Sequence, residues 1–430
     1  MARQTNSSQS GHQDLKRVLT DMLEGVVLPD VSGIHEECIY IVSPEIRQTN
    51  PQAYTPRVVS IGPFHKPHCP GGNNIFVPTE QLKLQYLLAF LTRTQLCVGD
   101  FVLKLKEWEN GIRNCYAETI NYESNDFLKM ILIDACFIVE LFLRHSGDED
   151  WTEKDPIWSR ERFRSDIEED LILLENQLPF FVLENIYELA GMTSRSFLKI
   201  TCDYFTEFHH KNMDPERRRP KHFTDLLRNS MIPQSSSLGT AALEGRGYVR
   251  HLYSASQLLE AGLVFKVSQS KYELDLKYHE GVLAMPPFIV HDGTERYIRN
   301  LIAFEDCRLS SHSCYISQYF KILDFLINTE KDVNILVDKK IIVNFMGDAK
   351  SVAAMVKNLG KNAFMPRFNQ EYLSLCSSLN EFYENPRNKY KAIFVHEYFS
   401  TPWKIASTIA AIVLLLLTLI QTICSVISSF

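Results

Sequence analysis

The sequence predicts a mainly α protein: a large helical body, a small antiparallel β element around residues 263–290, and one C-terminal transmembrane helix. Three observations carry that assignment. Apolar residues recur at helical spacing through most long segments. One stretch, residues 272–278, instead alternates with period two. Residues 405–430, IASTIAAIVLLLLTLIQTICSVISSF, hold no charged side chain at all.

The chain opens with MARQTNSSQSGHQD, polar throughout. Residues 1–30 read as a mobile polar leader without the apolar core of a signal peptide. Residues 31–400 form the body. After Pro78, TEQLKLQYLLAFLTR places leucines at 82, 84, 87, 88 and 91 on a broad apolar helical face, with Glu80 in the first turn. FLKMILIDACFIVELFL (127–143) is apolar almost all round and broken only by Lys129, Asp134 and Glu140, as a buried central helix would be. Ser165 and Glu168 have capping-box spacing and predict a helix through DLILLENQ. Pro179 restarts the chain as FFVLENIYELA, closed by Gly191. Residues 212–256 shift to Pro, Ser, Gly and Arg and read as a linker or insertion. Ser254 and Gln257 form a second capping box, with its helix ending at Gly262.

Tyr272, Leu274, Leu276 and Tyr278 alternate with charged residues as a half-wet strand, which VFKV (264–267) and GVLAM (281–285) flank as pairing partners. Helical spacing returns near Thr294 and continues to the membrane segment, 405–427. That segment extends about 1.5 Å per residue, enough to cross a hydrocarbon core of about 30 Å. Its anchor residues are Ile405, Ile409, Ile412, Leu415, Leu416, Leu419, Ile423 and Ile427. Tyr398, Phe399 and Trp403 stand where an aromatic belt would lie. Arg387, Lys389, Lys391 and Lys404 precede the span and no charge follows it, so the positive-inside rule places the body in the cytosol as a tail-anchored, single-pass protein. Which membrane it crosses, plasma membrane or endomembrane, is not encoded.

A net charge of −7 argues against nucleic acid as a partner. The lipid bilayer is expected as one partner and an unidentified protein as the other. Ten cysteines, none in a C-x-x-C pair, suit reduced cytosolic thiols better than a disulfide framework. There is no Walker loop, G-x-G-x-x-G, G-x-S-x-G or H-E-x-x-H, and no cofactor is expected. His65, His68 and Cys69 are the one metal candidate, two imidazoles and a thiolate within five residues. Their short spacing, stiffened by Pro67 and without a ligand pair downstream, favours a polar surface turn. His209 and His210 read as the wet end of a helix, and the basic run 216–221 as a solvated linker face. Asp134 and Glu140 are six positions apart, about 240° around a helix, so they cannot form one carboxylate dyad. They read as buried partners for an Arg or a backbone amide.

The stretch YTPRVVSIGPFH (54–65) packs Tyr54, Pro56, Ser60, Gly62, Pro63 and His65 into twelve residues. Pro56 disfavours helix at Thr55, and Gly62-Pro63 supplies a turn. Ser60 has no neighbouring base and no flanking elbow glycines, so the stretch reads as an extended structural segment.

The blocks IYIVSPEIRQTNPQAYTPRVVSIGPFH, EQLKLQYLLAFLTR, DACFIVELF, DLILLENQLPFFVLENIY, SASQLLEAGLVFKV, GVLAMPPFIV, RNLIAFEDC and YFSTPWKIASTIAA run in order through nearly the whole chain. Together they resemble the plant family catalogued as domain of unknown function 247. IVSPEIR departs from the Val-Pro pair more usual there. The resemblance implies a plant protein with one C-terminal span and no assigned enzyme activity, and some grass members are associated with pollen-side self-incompatibility. The resulting expectation is a non-enzymatic, membrane-tethered recognition or signalling protein. The alternative is a membrane-bound enzyme built on His65, His68 and Cys69 or on the buried carboxylates.

Overall fold

The longest apolar run of the body becomes a 22-residue helix, Ser124–His145, and the rest of the N-terminal half is arranged around it. The computed structural model describes Arg17 and residues 37–66, 76–147, 155–192, 194–206, 219–233, 247–308, 313–363, 367–399 and 401–428. Residues Glu37–Phe430 cluster as a unit separate from Met1–Glu36. Apart from Arg17, the polar leader expected over 1–30 lies outside the described residues.

In chain order, helix α1 (Pro44–Arg47) and a 3-10 turn (Pro51–Tyr54) lead to α2 (Val77–Thr94) and α3 (Val98–Asn114). The central helix is α4 (Ser124–His145), followed by α5 (Glu161–Leu171), α6 (Phe180–Leu189), α7 (Phe197–Tyr204) and α8 (Phe223–Met231). Helices α2, α3, α6 and α7 pack on α4. Its Phe127, Ile131, Phe137 and Phe142 are fully buried, each worth about 1.5–3 kcal/mol relative to exposure. Phe142 stacks on Tyr204 with ring centroids 4.3 Å apart.

The chain is mainly α, as expected, with 62% of the described residues helical and 6% in strands. Several details differ from the sequence reading. The apolar face of α2 is narrower than its leucines predict: Leu84 and Leu88 are 51% and 67% exposed, while Leu82, Tyr86 and Phe90 face the core. Ser165 does not open a helix. Helix α5 starts at Glu161 and stops at Leu171, so ILLENQ is not helical. The reason lies in two amides: Asn176 Nδ2 donates to Asp170 O at 2.9 Å, and Gln177 Nε2 donates to Leu171 O and Leu173 O. These side chains capture carbonyls that a continuing helix would have used.

Of the expected linker at 212–256, residues 212–218 and 234–246 lie outside the description, as do His209 and His210 before it. The described stretch between them is no loop, because it carries α8. Phe223, Leu227 and Met231 of α8 are buried, and Arg228 pairs with Glu305 at 2.9 Å.

Helix α9 (Ala255–Glu260) has the expected capping box, with the Ser254 hydroxyl accepting from Gln257 N, and Gly262 follows at φ +94°. Strands β1 (Val264–Val267), β2 (Lys277–His279) and β3 (Val282–Met285) form a sheet in the order β1-β3-β2. Strands β2 and β3 are antiparallel, joined at Glu280 and Gly281, both with positive φ, the demand of a two-residue hairpin. Strand β1, however, pairs parallel with β3. The alternation over 272–276 is not a strand. Leu274 and Leu276 are buried, but the segment turns locally, and Leu274 O accepts from the Tyr372 hydroxyl at 2.5 Å. Period two here reports two side chains plugged inward, not ladder pairing.

Strand β4 (Phe288–Val290) pairs parallel with β5 (Ile342–Asn344), a second sheet that the sequence reading missed. Around it lie α10 (Thr294–Arg308), α11 (Tyr315–Leu326), α12 (Glu330–Asp338) and α13 (Ala349–Leu359). Glu305 of α10 accepts from Ile316 N and Ser317 N at 3.2 and 2.9 Å, capping α11, whose own N-cap Cys314 supplies no side-chain bond. Helices α14 (Gln370–Glu384) and α15 (Pro386–Phe399) follow. The last helix, α16 (Pro402–Ser428), contains the predicted span, and an 18-residue window within Pro402–Ser425 has mean hydropathy 2.3 with none of it buried. It is long and apolar enough to cross a membrane.

Candidate functional site

Polar groups gather inside the body around the stretch Tyr54–Lys66. This segment crosses the interior without helix or strand, so its amides and carbonyls need partners from elsewhere. Asp170, at the end of α5, accepts from three successive amides: Arg57 N at 2.9 Å, Val58 N at 2.7 Å and Val59 N at 2.9 Å. Asn176 accepts from Ile61 N at 2.6 Å and donates to Val59 O at 3.0 Å. Asp134 of α4 accepts from Gly62 N at 2.9 Å. The carbonyls are met by Asn300 at Ala53, Arg296 at Thr55, Thr79 at Val58 and Lys83 at Ser60. Helices α2, α4, α5 and α10 thus all hold one strip of irregular backbone.

Most signature residues sit where such a segment needs them. Tyr54, Pro56, Ser60, Gly62 and Pro63 are buried. The Ser60 hydroxyl has no hydrogen-bond partner, so no base is bonded to it. Gly62 adopts φ +70°, and a Cβ there would lie 2.6 Å from Gln177 O and 3.2 Å from the Tyr116 hydroxyl. Glycine is therefore required twice over, by dihedral and by space.

The metal candidate is not assembled by the described residues. His68 and Cys69 lie outside them, and His65 is engaged: its Nε2 is 3.1 Å from Glu175 Oε2. Glu175 also pairs with Arg47 and accepts from Val42 N at 2.7 Å. Among the described residues no three His, Cys, Asp or Glu side chains gather as a metal site. Nine described cysteines form no disulfide, six of them buried.

Asp134 and Glu140 are ion-pair partners, as the sequence implied. Glu140 is bracketed by Arg93 at 3.0 Å and Arg144 at 2.9 Å. Asp134 is 2.8 Å from Lys83 and 3.6 Å from Lys66. The Lys83 ammonium is completely buried and spends its three donors on Ser60 O, Glu80 and Asp134. Burial alone would lower the Lys66 ammonium, but Asp134 and Glu80 carry it above its usual value. Asp170 is opposed by Arg296 at 2.7 Å, yet burial still pushes its carboxyl above the ordinary aspartate range, against the pull of the Val58 and Val59 amides. A carboxylate held there at electrostatic cost is a backbone-organising group.

Sequence reasoning missed Asp170, Glu175, Asn176, Gln177 and Arg296. Their one visible trace is ENQ set in the apolar run LILLENQLPFF, where three polar residues interrupt a core segment.

A cleft of about 420 Å³ opens beside this hub between α5, β4 and the start of α10, with Ser165, Glu168, Glu169, His291, Tyr297 and Phe345 on its walls. Glu169 is held by Arg57 at 2.7 Å. His291 Nδ1 accepts from Gly293 N at 3.1 Å, and no hydrogen bond joins it to Ser165. A nucleophile paired with its base is therefore not formed there.

Two outcomes test the hub. Gly62→Ala should lower stability by about 2–4 kcal/mol, since both strain and overlap with Gln177 O must be relieved; an unchanged denaturation midpoint for the full chain contradicts this. Burial would raise the Glu175 carboxyl, but the His65 and Arg47 bonds outweigh it and hold it below the ordinary 4.5. The folded state then binds fewer protons than the unfolded chain, so this contribution is present above about pH 4.5 and is lost as pH falls through the lower folded value. Glu175→Gln should flatten that acid limb in a stability–pH series, and an unaltered slope counts against the pairing.

A family model described as plant protein of unknown function matches residues 39–417. The chain is 29% identical to the UPF0481 protein At3g47200 of Arabidopsis thaliana, an alignment covering 94% of this chain and 89% of that one. It is 20% identical to the UPF0481 protein At3g02645 of the same plant, covering 91% and 90% respectively. No solved structure matches. With the family model spanning the buried hub, both sheets and most of the apolar helix, the chain belongs to the plant family of domain of unknown function 247.

Proposed function

We propose that the chain is a membrane-anchored protein whose helical body stays on the cytosolic side and acts by contact with another protein, not by catalysis. The observation that carries this reading is the state of α16. None of its 18-residue apolar window is buried in the rest of the chain, unlike a core helix of the same composition. Arg387, Lys389, Lys391 and Lys404 stand on its N-terminal side, the side the positive-inside rule keeps in the cytosol. Support for a binding role comes from the interior. The buried carboxylates Asp134, Glu140, Asp170, Glu175 and Glu305 each face a Lys or Arg, so their charge is spent on holding the fold.

The test is extraction of the full chain expressed in plant cells. It should remain in the membrane pellet through an alkaline carbonate wash, with its body digested by protease added outside sealed microsomes. Leu415→Arg combined with Leu419→Arg costs about 5–7 kcal/mol at the span centre. That rivals the summed gain of the span's Ile, Leu and Val residues, at about 0.3–0.6 kcal/mol each, so the double variant should move to the soluble fraction. Recovery of the unaltered chain in the wash would refute anchoring.

A further inference from the structure

We infer that α15 (Pro386–Phe399) is an interfacial helix whose outward apolar stripe beds into the lipid headgroup–acyl boundary, holding the body flat against the bilayer that α16 crosses. This rests on the anchoring proposed above and adds to it a second, in-plane contact.

The first observation is the turn between the two helices. Thr408 Oγ1 of α16, which donates to Lys404 O of its own helix at 2.7 Å, also lies only 3.1 Å from Tyr398 O of α15. Along one continuous helix, positions ten apart would be separated by about 15 Å. The chain must therefore fold back sharply near Thr401, so α15 is not a stalk prolonging the span. Thr408 is six residues into α16 from Pro402, about 9 Å along its axis. The C-terminal end of α15 thus lies level with the second turn of the apolar helix, at the depth of a membrane boundary and not above it.

The second observation is which face of α15 is covered. Asn388 and Ala392 point to the body: a Cβ on Gly262 would meet Ala392 Cβ at 3.1 Å, and Asn388 Nδ2 donates to Phe382 O at 2.9 Å. The opposite face carries Tyr390, Ile393, Phe394 and Tyr398, spaced i, i+3, i+4 and i+8, with Tyr390 72% and Phe394 52% exposed. Asn388 and Ala392 thus face the protein, while Tyr390, Ile393, Phe394 and Tyr398, with Val395 and Phe399 also exposed, leave apolar surface uncovered beside the span.

Lipid is the occupant that fits the surroundings. The stripe runs directly into Trp403, 86% exposed, and the uncovered span, so covering one with acyl chains brings the other to the same boundary. Tyr and Trp favour that boundary because their rings are apolar with one polar end. Arg387, Lys391 and Lys404 flank the stripe with the positive charge that phosphate headgroups attract, and Glu397 lies on the same face as the one acidic residue of α15.

The test places 4-fluorophenylalanine at Phe394, at Leu416 in the span, and at the fully buried Phe137, each in the full chain reconstituted into phosphatidylcholine–phosphatidylserine nanodiscs. Doxyl lipid labelled near the headgroup end of its acyl chain then broadens fluorine signals close to the bilayer. The inference expects broadening at 394 several-fold above that at 137, with 416 also broadened by a deeper label. Broadening at 416 with 394 as sharp as 137 overturns the interfacial helix and leaves the span standing, with water or another protein on the stripe. Sharp signals at both 394 and 416 overturn the inference and the anchoring together.

Discussion

Three consecutive backbone amides, Arg57 to Val59, converge on one buried carboxylate, Asp170, and the arrangement of the body depends on that convergence. An irregular strip of chain can cross a core only if its polar groups are met, since each buried unsatisfied amide costs about 1–3 kcal/mol. Asp170 meets three with one side chain. Asn176 meets an amide and a carbonyl, Asp134 meets Gly62, and Lys83 meets Ser60. These partners come from α2, α4, α5 and the loop after it. Arg296 adds α10 through Thr55 O and Asp170. The strip thus works as a polar rivet between the N-terminal helices and the sheet-bearing half.

The other buried charges described in the body are likewise taken up by partners. Lys83 has spent its donors, and Glu140 is bracketed by two arginines. Glu175 holds Arg47 and His65 together. These buried ions bind backbone and one another, while the apolar helix α16 and the aromatic residues of α15 stay uncovered.

The sequence made the periodic elements legible. The central helix, the Ser254–Gln257 capping box, the VFKV and GVLAM strands and the apolar C-terminal helix all follow from local spacing. The twelve-residue signature was legible as structural, because Pro56 and Gly62-Pro63 forbid helix. What holds it was not. Asp170 and Asn176 lie more than a hundred residues from their partners, and nothing local to DLILLENQ announces that its side chains cap a distant strip. The same string misled the helix boundary, since Asn176 and Gln177 took the carbonyls that helical spacing would assign to amides. The parallel β1–β3 and β4–β5 pairings were hidden for a related reason: strand direction is set by the path of the connection, not by alternation.

The most direct measurement is amide hydrogen exchange, by mass spectrometry, over residues 54–62 of the full chain in nanodiscs, compared with Asp170→Asn. A neutral amide at position 170 lacks the charge and one of the two acceptor oxygens that three amides and Arg296 share. Exchange at 57–59 should then accelerate by orders of magnitude while the central helix α4 remains protected. Equal protection of 57–59 in both proteins would contradict the primacy of that carboxylate.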